Sequence, residues 1–320
     1  MTAIAIHGGA GALPRADMTP ARASEFHGFL RDALLAGHRV LAVGGTSLDA
    51  VEASVITLED CPLFNAGRGS AFTRDGHVEM EASIMDGATR AVGAAALLRR
   101  VRNPIRLARR IMEHTPHTAL AGEAAERFAV AQGLPLESPD YFFTPFRWEA
   151  MLRLRGTERT ALSEDVIVPA NPDRPEAMGT VGAVAMDAMG NLAAAASSGG
   201  TTNKYAGRIG QSSTPGAGLY AHNATCAVAC TGQGEAFVRA VTAHDVAALM
   251  EFGGLDIEAA AKTAIFQRLP GKGGLIAVDA RGRIVLPFNT EGMYRGWIDA
   301  QGNVHTAIYE SAQAWPGLSS

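Results

Sequence analysis

The sequence predicts an α+β protein in which layered sheets are covered by helices. Three observations point there. Strand-like stretches gather toward the two ends of the 320-residue chain, with helical ones between them. Strands do not alternate singly with helices, as a doubly wound sheet requires, and no repeat of fixed period occurs. Finally, 47% of the residues are hydrophobic, ample for a large buried core.

Taken in order, Ala3 to Ile6 is a short apolar run that meets the glycine loop His7-Gly-Gly-Ala-Gly-Ala12, which suits a buried strand. Pro20 opens a helix that runs to about Val43 and stops at Gly44-Gly45. Thr46 or Ser47 caps the next, with Asp49 in its first turn, and it runs to about Asp60. Pro62 to Gly69 is too rich in turn residues for a regular element, and strands follow at His77 to Met85 and Ala91 to Leu98. Asn103-Pro104 starts a helix to about His114, and another is expected from Thr118 to Gln132.

The stretch from Arg155 to Met178 is polar and proline-rich, a linker composition. It ends at Gly179-Thr180, where Thr180 to Asp187 and Asn191 to Ser198 form a hairpin candidate around Ala188-Met-Gly-Asn. Strands are expected at Ala217 to Ala221 and Thr225 to Thr231, then helices from Glu235 to Glu251 and Asp256 to Arg268. The chain closes on strands at Gly274 to Asp279, Arg283 to Pro287 and His305 to Tyr309.

Glycine is over-represented, at 36 residues, where the usual ~7% share would give roughly 22. It falls in short clusters between apolar runs, as tight turns and close backbone approaches require. The net charge is -4. The densest basic stretch, Arg99 to Arg110, is spread through a helical pattern, so no nucleic-acid partner is expected. Cys61, Cys226 and Cys230 give no disulfide framework and favour a reducing compartment. Cys226 and Cys230 lie on one face of a strand with no His or Asp beside them, which reads as core packing. The N-terminus lacks a signal-peptide pattern and no apolar run is long enough to span a bilayer, so the expected location is the cytoplasm, with no membrane partner.

A linker that stops at Gly-Thr, directly before an apolar strand, is a chemical proposition. If the bond before Thr180 breaks, a threonine with a free α-amine stands at the start of a rigid strand. A hydroxyl must lose its proton as it attacks, and an α-amine with a pKa of about 7.7–8.0 is a partly free base near neutrality. Nucleophile and base then belong to one residue. Glycine in front leaves the carbonyl open to attack. The dipeptide alone reads better as an ordinary strand start.

The wider sequence decides between the two. Gly179-Thr-Val-Gly-Ala-Val-Ala185, Ser197-Ser-Gly-Gly200, Asn203-Lys204, Gly207-Arg-Ile-Gly210, Gly216-Ala-Gly218 and Thr231-Gly-Gln-Gly-Glu235 resemble the plant-type asparaginase / isoaspartyl peptidase family of N-terminal nucleophile hydrolases. So do His7-Gly-Gly-Ala-Gly, Pro62-Leu-Phe-Asn-Ala-Gly67, Ala82-Ser-Ile-Met-Asp-Gly87 and Pro287-Phe-Asn-Thr-Glu-Gly-Met293. The similarity spans nearly the whole chain, in order.

The resemblance implies a four-layer αββα sandwich in one domain, residues 1–320, self-cleaved into subunits 1–179 and 180–320, with residues 155–179 as a flexible linker. Two such αβ pairs are expected to associate. Thr180 matches the nucleophile and Gly179 the other side of the cut. Ser198 stands where the family usually has threonine, a hydroxyl expected to bond the nucleophile and tune its amine. Thr231 and Gly232 match the oxyanion hole, and Asn65 is expected near the nucleophile. Arg208 matches the residue that holds the substrate α-carboxylate, a task a guanidinium fork suits. Gly234 joins Gln211 and Gly232 in the expected substrate-binding set. Backbone carbonyls of Leu58, Glu59, Cys61, Phe64, Ala66 and Arg68 match a loop that wraps a structural sodium ion. No cofactor is expected for catalysis.

One departure bears on the substrate. The family motif Gly-Arg-x-Gly-Asp ends in an aspartate that pairs with the substrate α-ammonium, and here the residue is Gln211; Gln233 stands inside Thr-Gly-x-Gly. The leading expectation is an amidohydrolase of β-aspartyl peptides or L-asparagine. The alternatives are an amidase for a β-aspartyl-type compound with a modified α-amine, and a non-catalytic dimeric binding protein. A dinucleotide site at His7-Gly-Gly-Ala-Gly-Ala12 lacks the G-x-G-x-x-G spacing.

Overall fold

The computed structural model describes residues 1–11, 13–157, 160 and 179–310. The elements run β1 (Ala3–Gly11), α1 (Pro20–Ala42), α2 (Ser47–Asp60), β2 (Met80–Asp86), β3 (Val92–Leu98), α3 (Pro104–His114), β4 (Ala119–Ala121), α4 (Gly122–Ala131), α5 (Pro139–Phe142) and α6 (Pro145–Leu154). From the hairpin on they are β5 (Val181–Met186), β6 (Leu192–Ser198), β7 (Leu219–Ala221), β8 (Cys226–Gly232), α7 (Gly234–Ala240), α8 (Thr242–Glu251), α9 (Ile257–Thr263), β9 (Gly273–Asp279), β10 (Ile284–Val285), β11 (Gly292–Ile298) and β12 (Val304–Ala307). The expected linker falls almost wholly outside the described residues.

Eight strands form one sheet in the order β12-β11-β1-β5-β6-β2-β3-β4, and four form a second in the order β10-β9-β8-β7. Period-two alternation explains how they stack. In β5, Val181, Ala183 and Ala185 join α1 and α2 in one core, while Val184 and Met186 turn to the other sheet. In β8, Ala227 and Ala229 meet that inter-sheet core, while Cys226, Val228 and Cys230 pack on α8 and α9. The result is helix, sheet, sheet, helix: the four-layer αββα sandwich that the resemblance implied. Alanines dominate the inter-sheet core, among them Ala194, Ala196, Ala227 and Ala229, and small side chains keep the two sheets close. Both strand cysteines are free and buried.

Local signals place most boundaries. Thr19 Oγ1 caps α1 by accepting from Arg22 N–H at 3.3 Å, with Pro20 in its first turn. Thr46 Oγ1 accepts from Asp49 N–H at 3.1 Å and caps α2. The arginine-rich stretch is neutralised within the protein: Arg109 meets Asp49, Glu52 and Glu113, and Arg102 meets Asp60 and Glu137.

Four local readings change. The helix expected from Thr118 begins only at Gly122, because Ala119–Ala121 pair in parallel with β3. The helix expected over 235–251 breaks at Val241, a β-branched residue at φ 49°; there His244 N–H bonds Gly216 O at 2.8 Å instead of continuing the helix. Helix α9 ends in a π turn at Ala264–Arg268. The strand expected over 283–287 shrinks to Ile284–Val285, and β11 was not expected.

Candidate active site

Thr180 stands one residue before β5, is 3% exposed and lies at the mouth of the inter-sheet core. Its Oγ1 accepts from Gln211 Nε2 at 2.9 Å and shares a 2.8 Å hydrogen bond with Ser212 Oγ. With Gln211 donating, the threonine's own proton is free to point to Ser212. Neither neighbour is a base.

Gly179 is held between two backbones. A β-carbon on Gly9, whose φ is 120°, would lie 2.7 Å from Gly179 N and 3.0 Å from its carbonyl oxygen. Only glycine fits there, in conformation and in space. On the other side, a β-carbon on Gly179 would lie 2.6 Å from Thr231 Oγ1 and 3.5 Å from Gly232 N. Thr231 is fully buried at the end of β8 and accepts from Ala10 N–H at 3.1 Å. A hydroxyl and an amide thus converge beside Gly179, the donor pair an oxyanion needs.

Strand register brings Ser198 to this place. Val181 pairs with Ser197, so the ladder sets Thr180 opposite Ser198 one step on. Ser198 Oγ, however, accepts from Gly200 N–H at 2.9 Å and makes no bond to Thr180. The expected contact with Thr180 is not made, because the Gly200 amide turns this hydroxyl to its own loop. Asn65 ties the neighbouring loops together: its Nδ2 donates to Gly200 O at 2.6 Å, its Oδ1 accepts from Ala71 N–H at 2.8 Å, and Gly199 N–H bonds its backbone oxygen.

The opposite wall carries charge. Arg208 donates through Nε and Nη2 to the two carboxylate oxygens of Glu235, at 3.0 and 3.1 Å. Burial alone would raise the Glu235 pKa, but the Arg208 hydrogen bond and charge bring it below the ordinary value. A β-carbon on Gly234 would lie 2.6 Å from Arg208 Nη2 and 2.5 Å from Gln211 Oε1. Arg208, Gln211 and Gly234 therefore meet at one place, with the Gln211 amide reaching from it to Thr180. The other sides of Arg208 face glycines 200 and 210.

Residues 1–308 match the protein-family model described as asparaginase. The chain belongs to the asparaginase family. It is 49% identical over 309 residues to the isoaspartyl peptidase of Salmonella typhimurium, which covers 96% of this chain and 98% of the relative. It is 48% identical to the isoaspartyl peptidase of Escherichia coli, over 96% of this chain and 95% of the relative. It is 39% identical to the isoaspartyl peptidase/L-asparaginase of Xenopus laevis, over 96% and 94%. Neither the modified-amine alternative nor a binding protein gains support from these relatives.

The loop that the asparaginase family resemblance assigned to sodium is tightly curled. Leu58 O accepts from Cys61 N–H, Phe64 O from Ala66 N–H and Ala66 O from Gly69 N–H. A β-carbon on Gly69 would lie 2.7 Å from Pro62 O, so carbonyls do turn inward, and each keeps a second lone pair. The buried Arg147 donates its Nε to Gly69 O at 2.8 Å and braces the loop. Among the described residues no group of three or more His, Cys, Asp or Glu side chains gathers, so a cation here depends on carbonyls. Arg68 turns its side chain out over the Tyr141 ring. Glu59 has a further part: its Oε1 accepts from Ile105 N–H at 3.0 Å and Ser197 Oγ at 2.7 Å, and burial pushes its carboxyl up to about 8.

Several residues at the site were quoted within motifs without being given a part. Burial pushes the His7 imidazole down to about 3, against a weaker upward pull from the Thr180 backbone, so this ring is neutral. Glu235 closes the quoted stretch Thr231-Gly-Gln-Gly-Glu235, while Ser212 directly follows Gln211 outside any quoted motif; adjacency to a site residue is the signal that would have found both. Lys204 donates to the carbonyls of Glu79 and Gly199, and burial lowers it to about 8.

Proposed function

We propose that this asparaginase-family chain is a self-processing N-terminal-threonine amidohydrolase that cleaves β-aspartyl (isoaspartyl) peptides and L-asparagine and releases aspartate. The observation that carries the reading is the seat of Gly179, pressed by Gly9 toward Thr231 Oγ1 and Gly232 N while Thr180 Oγ1 touches no base. The names of the bacterial and frog relatives support the substrate class.

In maturation, Thr180 Oγ1 attacks the Gly179 carbonyl. The peptide C–N bond breaks, the hydroxyl proton ends on the freed amine, and an ester joins Gly179 to Thr180. Water hydrolyses the ester and leaves residues 1–179 and 180–320. The new α-amine then takes the Oγ1 proton as Thr180 attacks the substrate's side-chain carbonyl, and passes it to the departing amine. The developing oxyanion meets Thr231 Oγ1 and Gly232 N–H. Arg208 holds the α-carboxylate. Water cleaves the aspartyl ester and regenerates the enzyme.

On this reading the product associates as (αβ)2 and works in the cytoplasm, and the loop at 58–68 holds a structural sodium ion through carbonyls, the donors such a cation takes. Intact-mass measurement tests the central step. Purified wild type should give two masses, for residues 1–179 and 180–320, and Thr180→Ala a single one. A wild-type protein that stays uncut yet hydrolyses a β-aspartyl dipeptide would sink the proposal.

A further inference from the structure

The proposed substrates carry an α-ammonium beside the α-carboxylate, yet residue 211, at the centre of the site, is a neutral glutamine. A buried ammonium without an anionic partner is costly. Its negative partner must come from elsewhere in the wall.

The wall offers two carboxylates. Glu81 is 3% exposed and sits behind the loop: its Oε2 accepts from Gly210 N–H at 2.7 Å and from Ser213 Oγ at 3.1 Å. Its Oε1 faces Gly210, where a β-carbon would lie 2.6 Å from it and 2.6 Å from Arg208 Nη1. Burial fixes it in place, and the chain of Gly210 stands before it. Glu235 differs in both respects. Its side chain is 60% exposed, and its carboxylate lies directly on the guanidinium of Arg208, whose side chain is 15% exposed. It follows Gly234, the residue against which Arg208 Nη2 and Gln211 Oε1 both rest.

We propose that Glu235 is the specificity-determining acid of this site, receiving the substrate α-ammonium while Arg208 receives the α-carboxylate. The inference rests on the hydrolase reading given above. An amino-acid head group carries the same two charges as the Arg208–Glu235 pair, in opposite order. Binding exchanges the internal ion pair for two new ones. A partly exposed ion pair contributes little by itself, so the exchange costs little. Gln211 completes the arrangement: its Nε2 is engaged by Thr180 Oγ1, and its Oε1 is left as a neutral second acceptor for the ammonium. The residue at position 211 thus brings no charge to the head group and places an amide donor on Thr180 Oγ1.

The test compares a β-aspartyl dipeptide with its succinyl analogue, which lacks only the α-amine, in wild type, Glu235→Gln and Glu235→Asp. Each protein is first checked by mass for the cut after Gly179, which reports a correctly folded site. Wild type should prefer the aspartyl substrate in kcat/KM by about 10–100-fold, the range of a charge-assisted hydrogen bond. Glu235→Gln should bring that preference close to one, and Glu235→Asp should keep most of it. A role limited to bracing Arg208 would lower both substrates together and leave the ratio intact, and that result overturns the inference. So does a wild-type enzyme with no preference, or a Glu235→Gln variant that behaves as wild type. Cleavage of neither substrate by fully cut wild type overturns the hydrolase reading, and this inference with it.

Discussion

The floor of the site and its rim are built differently. On the floor, Thr180, Thr231 and Asn65 are 3%, 0% and 2% exposed. Thr180 and Thr231 sit at the ends of β5 and β8, strands locked into the two sheets. On the rim, Arg208 belongs to a loop and its main partner, Glu235, is more than half exposed. Groups that perform bond-making need fixed distances, which a buried ladder supplies. Groups that recognise a head group need to exchange partners, which an exposed ion pair does cheaply. Mutations on the floor should therefore depress turnover, and those on the rim affinity.

The largest effect belongs to Thr231→Val. It keeps the shape, removes the proposed oxyanion donor and leaves Ala10 N–H without its acceptor. Turnover should fall by about 10²–10³-fold, read as kcat on whatever fraction of the protein is cut. A loss confined to KM would place Thr231 among the recognition groups and erase the contrast.

Arg208→Ala should follow. Truncating a hydrogen-bonded charge costs about 2–5 kcal/mol when it is buried, and the low end applies because Arg208 is only partly buried and Glu235, left behind, can be hydrated. The loss should fall mainly on KM. Arg208→Lys should rescue little, since a point charge does not match a planar fork. Near-normal kcat/KM in Arg208→Ala would mean that no carboxylate binds there.

Gln211→Asp crosses the boundary between floor and rim. It adds a charge near the head group and deletes the amide that donates to Thr180 Oγ1. KM for a β-aspartyl dipeptide should drop several-fold, while self-cleavage, followed by gel against time, slows by about 3–10-fold, the value of one ordinary hydrogen bond. Unchanged cleavage kinetics would show that this amide has no part in maturation.

A further effect concerns pH and is read in stability, not turnover. Below about pH 4.5, the ordinary carboxyl value, Glu59 is protonated in both folded and unfolded chains; between there and about 8 only the folded chain keeps the proton. Stability should fall as pH rises through that window. Glu59→Gln, which retains an acceptor for Ile105 N–H and Ser197 Oγ, should flatten the fall in Tm. Measured in a Thr180→Ala background, a slope equal to that of the parent would show that Glu59 does not titrate there.

Much of the architecture was legible because its signals are local. Pro20 and Thr46 with Asp49 announce α1 and α2, and the hairpin of β5 and β6 follows from two apolar runs around Met189-Gly190. The missed strand β11 shows the opposite case. Gly292, Arg295 and Gly296 spoil its apolar pattern, yet it lies between β1 and β12. Arg295 is tolerated because its guanidinium donates to Met293 O at 3.0 Å and Tyr309 O at 2.9 Å, partners that only the fold supplies. Val241 interrupts a helix for a similar reason, since Gly216 O takes an amide that the helix would have used.

The sequence by itself determined most helix and strand positions and the place of Thr180 at the head of a core strand, while the resemblance of its motifs to the asparaginase family implied the four-layer sandwich and the parts of Thr231, Gly232 and Arg208. The element positions follow from periodicity, caps and turn residues, which act over short stretches of chain. Tertiary structure alone decided what each side chain touches. It turned Ser198 toward Gly200, set the Gln211 amide on Thr180 Oγ1, and paired Arg208 with Glu235 across 27 residues of chain. Hydrogen-bond partners are chosen by distance and direction within a packed interior, and neither quantity is written in the order of the residues.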